Sequence, residues 1–543
     1  MITRRALLRS SLAVAGASMT GWGCAPATGS RGVPGRLLGP STALGHRLRD
    51  QTYPPPSSTR ETQVVIAGGG IAGLAAAYAL KRQGVRDVLI VDSLPEPGGN
   101  ASSGRNSVSA YPWGAHYVPL VRQDCSPVLE LFNELGIILD TDAAHRPVYN
   151  EYFLSADPQE RLYIYGRWQD GFVPTVGASP RDEAQFTAFF AAAERMKHSV
   201  GSDGKPIFAI PIENSTADPQ WRDLDRISFA EYLRRQGFDS ARLTWYANYC
   251  CRDDYGAVAA DISAWAGLHY FASRNGVAAN ADASSVVTWP EGNGHLVREL
   301  AQRSGATFQG DSLVTQVART PTGVSLDYFD ARLERSVRVS ARAAVVCLPR
   351  FVAAKVVQGL APDSGAGFSY SPWMVANVTL SRLPAGRGQP LAWDNVIYDS
   401  PLLGYVVATH QGLEQRRDST VITYYWPLSA AAPDVERRTA LARSLPEWQT
   451  IIMNDLLRVH PELQRHVENI DVWIWGHGMV RPTPGFIWGG RRQAAAAIQL
   501  PPVFFAHSDL SGISIFEEAY CRGRAAGESA AREVASTSMA AMV

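Results

Sequence analysis

Gly68, Gly70 and Gly73, with Ile71 and Ala72 between the last two, spell a G-x-G-x-x-G turn, and residues of these types at this spacing bind phosphate. The first glycine permits a tight turn, the second lets the backbone approach a pyrophosphate, and the third lets a helix pack closely on a strand. A helix opening at Ile71 offers free N–H groups and a partial positive charge to the same phosphates. Asp92 follows at the distance where a carboxylate accepts hydrogen bonds from ribose hydroxyls. The pattern predicts a dinucleotide site and leaves open whether the nucleotide carries a flavin or a nicotinamide.

Such a turn needs a strand before it and a helix after it. Residues 63–67 are a short β-branched apolar run, read as a buried strand, and residues 71–83 are an Ala- and Leu-rich helix that Gly84 stops. Residues 88–91 read as a second buried strand ending at Asp92, which makes a βαβ unit over 62–92. Much later, residues 343–349 read as another buried strand closed by Pro349, 503–506 as a further strand, and 515–533 as mostly helix. The strands of one nucleotide-binding sheet are thus scattered along the chain. Two tracts between them, rich in Trp and Tyr, read as a substrate domain inserted in two pieces. Residues 28–60, rich in Gly, Pro, Ser and Arg, read as a flexible extended linker, with the folded body starting at Thr62.

The formal net charge is zero and no basic tract is interleaved with aromatics, so no nucleic-acid partner is expected. Past the N-terminus no apolar run is long enough to predict a transmembrane helix. The N-terminus reads as an address. Arg4 and Arg5 precede a short apolar stretch from Leu12 to Met19 and then small residues, the layout of a bacterial twin-arginine signal over 1–27. It implies passage through the twin-arginine translocation machinery and a periplasmic destination. Ala25-Pro26-Ala27 offers a cleavage site, and Cys24 offers a lipid anchor as the alternative. The six cysteines form no C-x-x-C pair, so neither a metal site nor a disulfide framework is expected. Hydrolase and P-loop patterns are absent, and Asp253-Asp254 read as a solvated loop.

After Asp92 and Ser93 come Gly98-Gly99-Asn100, and here the sequence resembles the flavin-containing amine oxidase superfamily, which includes protoporphyrinogen oxidases and carotenoid (phytoene) desaturases. The resemblance continues through residues 111–117, the helix at 128–135, the turn and helix from Trp289, the strand 314–317 and the Pro-ended strand 345–349. Near the C-terminus, Phe505-Ala506-His507-Ser508-Asp509 and then Phe516-Glu517-Glu518-Ala519 are similar to the family's last strand and the helix under the flavin ring. The resemblance implies FAD held non-covalently by Gly68, Gly70, Ile71, Ala72, Gly73, Asp92, Ser93, Gly98, Gly99 and Asn100. It also implies that the Val317 backbone touches the adenine, that Asp509 binds the ribityl or phosphate region, and that Glu517 lies in the flavin-side helix.

The chain departs from the family at several places. Asn100 stands where relatives carry an Arg, with Arg105 as a candidate replacement. Asn377 stands where amine oxidases carry a Lys that holds a water at the flavin, and the lysines of the chain, Lys81, Lys197, Lys205 and Lys355, lie outside that context. Asn can hydrogen-bond a water but supplies no titratable base. His116 and His507 are expected beside the isoalloxazine, as proton carriers or as anchors of the cofactor loop. With Asn377 they are the catalytic candidates. Trp475, His477 and Trp488 are candidates for an aromatic cage, and Cys521 reads as a packing residue rather than a flavin attachment point.

The expected fold is α/β. A Rossmann-like parallel-sheet FAD domain is assembled from residues 62–150, 285–350 and 470–535, and a mixed α+β substrate domain from 151–284 and 351–469. The expected function is oxidation of a small organic substrate, an amine or polyamine, with electrons passed to oxygen or another acceptor. Two alternatives stand beside it: dehydrogenation or desaturation of a non-amine substrate, which the missing Lys favours, and an FAD-stabilised binding protein whose active site has decayed.

Overall fold

Val64 and Ile66 point to one face of the strand Pro56–Ala67 and Val65 and Ala67 to the other, and all four are fully buried. A strand buried on both faces belongs inside a covered sheet. The computed structural model, which describes residues 32–413 and 417–540, places it there. The proposed signal, with Arg4, Arg5 and Cys24, lies outside the described residues.

The strand is the centre of a seven-stranded sheet. Thr307–Gln309, Val88–Val91, Pro56–Ala67, Arg335–Val346 and Val503–Phe505 run parallel in that order, and Arg335–Val346 continues into the antiparallel meander Gly323–Asp330 and Ser312–Thr320. Helices Ile71–Arg82, Ser126–Glu134, Gly294–Ser304 and Phe516–Ala540 cover one face, packing on Val64, Ile66, Val88, Ile90 and Val345. The meander covers the other, over Val65, Leu89 and Val346. A buried aliphatic side chain of this kind contributes about 1.5–3 kcal/mol, so the two faces fix the register of the whole sheet.

A second sheet, of eight strands, lies in the tracts expected to form the substrate domain. Its order is Leu37–Leu38, Val467–Val480, Tyr370–Leu380, Thr420–Pro427, Gly404–Val407, Asp394–Ile397, Glu160–Ile164 and Arg167–Asp170. Helices Pro180–Lys197, Phe229–Arg235, Ala241–Tyr255 and Ala264–Ala272 pack beside it around Phe189, Phe229 and Trp265. Among the described residues no helix is long and apolar enough to cross a membrane.

Two expected boundaries need correction. Residues 470–480 run in the substrate sheet, hydrogen-bonded to Tyr370–Leu380, rather than in the nucleotide domain. The expected linker is structured from residue 32 onward. It holds the strand Leu37–Leu38, the helix Thr42–Asp50 and, from Pro56, the first half of the central strand.

Candidate active site

The glycine turn is built as its spacing requires. Gly68 has a φ of +100°, and a Cβ there would come within 2.6 Å of the Cys347 carbonyl oxygen. A Cβ on Gly73 would stand 1.9 Å from the Gly68 carbonyl oxygen, so only glycine lets the helix Ile71–Arg82 start this close to the strand. Gly70 gives that helix no side-chain cap, which leaves its first-turn N–H groups available to an anion. Gly98 bridges back to Gly70, and its N–H donates to Gly69 at 2.9 Å. Asp92 accepts from the Gly69 N–H at 2.6 Å and the Leu94 N–H at 2.7 Å, which aims its carboxylate along the same cavity.

That cavity has a volume of about 890 Å³, at the large end of ligand pockets. Contacts among residues at its wall and just behind it run in one line. Leu44 packs on Leu313, Ser312 donates to the Asp92 carbonyl, Asp92 to Gly69 and Gly70 to Gly98 follow, and Asn100 accepts from Ala115. The line ends at His116, stacked on Tyr425 at 4.6 Å. Length, the open helix N-terminus and the carboxylate at one side fit an extended dinucleotide such as FAD.

At the turn in this line stands Asp509, which is buried. Its Oδ2 accepts from the Arg350 N–H at 2.8 Å and the Tyr370 hydroxyl at 2.5 Å. His507 Nδ1 lies 3.1 Å from its Oδ1. Burial opposes ionisation, yet His507, Tyr370 and the Arg350 N–H outweigh it and hold the carboxyl below its usual range. Glu517, at the start of the helix Phe516–Ala540, is buried at the cavity wall, and burial pushes it up to about 7.

The far end is an acidic, aromatic chamber. Tyr117, Trp393 and Tyr425 surround His116, with Trp393 at 5.6 Å from it, and the Tyr425 hydroxyl donates to the Gly114 carbonyl at 2.9 Å. Burial pushes the His116 imidazole down to about 4, so it is neutral at physiological pH. Asp254 is committed to Arg274, but Asp253 faces the cavity beside it. Burial and then Asp254 push Asp253 up to about 7. Asp394, next to Trp393, is raised by burial and by Asp253 and Glu160. Glu160, its neighbour across the parallel strand pair, keeps solvent contact and is also raised to about 7.

The structure brings most of the sequence-derived candidates to this cavity. Gly68, Gly70, Ile71, Ala72, Asp92, Ser93, Gly98, Gly99, Asn100, His116, His507, Asp509 and Glu517 line it, and Gly73 supports the turn. Asn100 donates to the Gly478 carbonyl and so ties the turn to the substrate sheet, a role no Arg would need to fill. Other expectations are corrected. Val317 is fully buried in the meander core, and Val314 lines the cavity instead, because a bulge between Val314 and Gln316 shifts the strand's register. Asn377 lies away from the cavity, donating to the Pro112 carbonyl at 3.0 Å and accepting from Thr423 at 2.7 Å, while Val375 and Trp373 of the same strand line it. Arg105 is exposed outside the lining. Of the expected cage, Trp475 and His477 line the cavity, whereas Trp488 packs on Trp265 in the helical core. Asp253 and Asp254 end the helix Ala241–Tyr255 rather than sitting in a solvated loop. Cys521 does not line the cavity, and Cys347, which does, has its thiol pushed up by burial and so kept un-ionised. Sequence reading passed over the chamber residues Asp394, Trp393 and Tyr425, whose convergence no local spacing announces.

Comparison with known proteins bears on this arrangement. A family model described as flavin containing amine oxidoreductase matches residues 71–377. Cyclohexylamine oxidase from Brevibacterium oxydans IH-35A aligns at a TM-score of 0.61 and 18% identity, over 88% of this chain and 100% of that one. A putrescine oxidase bound to putrescine aligns at 0.61 and 15%, over 87% and 99%. A CLA-producing fatty acid isomerase from P. acnes aligns at 0.58 and 16%, over 86% and 97%. At these identities the likeness shows the fold, which hosts different chemistries. No curated protein sequence matches the chain.

Proposed function

The chain belongs to the flavin containing amine oxidoreductases and is an FAD-dependent oxidoreductase, and from that premise we propose that it oxidises a small organic amine that enters the acidic chamber as a cation. Membership sets aside the reading of a decayed binding protein. The observation that carries the proposal is the chamber itself, where Asp253 lines the end of the nucleotide cavity with Tyr117 and Tyr425, and Trp393, followed by Asp394, packs against Tyr117 from behind. Carboxylates attract an ammonium and aromatic faces favour a cation, so both features select the same ligand.

In this reading the glycine turn and the N-terminus of Ile71–Arg82 hold the pyrophosphate, Asp92 and Ser93 the adenosine ribose, and Asp509 the ribityl region of a non-covalent FAD. Bound FAD supplies a two-electron oxidant for the C–H bond beside the amine nitrogen and gives the electrons on to oxygen or another acceptor. The protein's part is to place that bond and manage charge. Asp253, with an affinity for protons near neutrality, can take the proton an ammonium sheds as it becomes reactive. His116, neutral, orients rather than ionises. Trp475 lines the cavity with its Nε1 held by the Trp113 carbonyl. A second reading, dehydrogenation of an uncharged substrate, is favoured by one observation: Lys355 is the only lysine at the cavity among the described residues, and it lies on the helix Arg350–Val356.

The test is the visible spectrum of the purified protein before and after anaerobic addition of simple amines and polyamines. Bleaching of the flavin band by an amine supports the proposal. A band that no amine bleaches, while an uncharged substrate does, overturns it in favour of the second reading.

The Arg4-Arg5 pair and the residues that follow it support a further part of the proposal, export of the folded holoprotein by the twin-arginine route.

A further inference from the structure

The segment before the central strand is anchored at two places that belong to different domains. At one end, the Arg36 N–H and guanidinium bind Asp471 at 2.9 and 2.6 Å, Leu37–Leu38 pairs in parallel with Val472 and Trp473, and Gln449 donates to the Val33 carbonyl at 2.9 Å. At the other, Ser41 caps the helix Thr42–Asp50 by accepting from the Leu44 N–H at 3.1 Å. Leu44 is then buried against Leu313 and Phe329 of the nucleotide sheet, and the Arg47 guanidinium lies 4.6 Å over the Phe329 ring.

The helix has two working faces. Leu44 clamps it to the sheet, while Thr42, Gly45, His46 and Arg49, spaced as one helical face, line the nucleotide cavity, and Leu48 reaches both. The cavity wall next to that clamp is Leu313 and Val314, and Asp92 follows, because the Ser312 N–H donates to the Asp92 carbonyl at 2.9 Å. The carboxylate that would take the adenosine ribose is therefore beside the helix.

We propose that residues 33–50 are a built-in strap that closes over the adenosine half of FAD and holds the cofactor in place, an inference that rests on the flavin reading above. The strap sets how fast FAD leaves, and it does so at the end of the cavity opposite the chamber.

Gly45 allows a direct test, since a Cβ there meets no atom within 4 Å. Gly45→Trp starts from an unobstructed Cβ and puts a bulky ring on the cavity face of the helix. A second variant, Leu44→Ala, loosens the clamp. The probe is release of FAD from the holoprotein on dilution, followed by the rise in flavin fluorescence. Both variants are expected to release FAD about tenfold faster, a free-energy change well within the loss of one or two such contacts. Release rates that match the unsubstituted protein in both variants overturn the strap and leave the flavin reading standing. An unsubstituted protein that retains no FAD at all overturns both.

Discussion

Tyr370 donates its hydroxyl to Asp509 Oδ2 at 2.5 Å, and that one bond joins the substrate sheet to the far edge of the nucleotide fold. The Arg350 N–H donates to the same oxygen from the start of the helix Arg350–Val356. A hydrogen bond to a buried carboxylate contributes about 1.5–3 kcal/mol. Tyr370→Phe should therefore lower the thermal midpoint at neutral pH. Asp509 is depressed in the folded state, so its stabilisation is present above the ordinary carboxylate pKa and is lost as pH falls through the depressed value. The gap between Tyr370→Phe and the parent protein should narrow below that range, which thermal scans at neutral pH and in acid would show.

His269 gives the opposite kind of titration. It is buried, its Nε2 lies 2.9 Å from the Ala209 carbonyl oxygen, and burial pushes it down to about 3. The unfolded chain takes up that proton first. Stability is thus lost as pH falls from the ordinary histidine value toward about 3. His269→Asn should flatten the stability profile between pH ~6.5 and pH ~4, measured by thermal shift across buffers.

Gly73 tolerates no side chain. Because a Cβ would sit 1.9 Å from the Gly68 carbonyl, Gly73→Val must push the helix off the strand. The expected outcome is protein with no bound flavin, read from the visible absorbance of the purified variant. A variant that keeps a full flavin band would contradict the assigned turn.

The structure explains how far the sequence could be read. The βαβ unit and the glycine turn are local, and their periodicity and spacing were legible because neighbours in the chain are also neighbours in space. Asp509 was legible through its short motif. Val317 was named from the resemblance, and it packs with Val314 in one core while only Val314 also reaches the cavity. Asn377 was misplaced because it sits one strand repeat beyond Val375, where Pro112 and Thr423 already satisfy it. The chamber was invisible since Asp253, Asp394 and Glu160 come from separate elements. The segment 32–50 reads as a linker because its order comes from pairing with residues near 471, not from any pattern of its own.

The chamber carboxylates make amine binding depend on pH. With Asp253 near 7, a cationic substrate should bind with full affinity above neutrality and lose it as pH drops below about 7. Asp253→Asn should raise KM for an amine about tenfold, the cost of one charge contact, and remove much of this pH dependence. Steady-state kinetics from pH 6 to pH 9 would check it.

The twin-arginine proposal is tested in cells. Changing Arg4 and Arg5 to Lys should leave folded, flavin-loaded protein in the cytoplasm, seen by fractionation. Export that continues unchanged would point to another route.

The bond between Arg36 and Asp471 spans 435 residues of chain. During synthesis Arg36 must wait until residue 471 has been made before it can settle. Closing so long a loop is slow, and contacts of this reach form late. The strand Val503–Phe505 and the helix Phe516–Ala540 come later still, so the segment over one end of the cavity and the elements that complete the nucleotide sheet are all fixed near the end of folding.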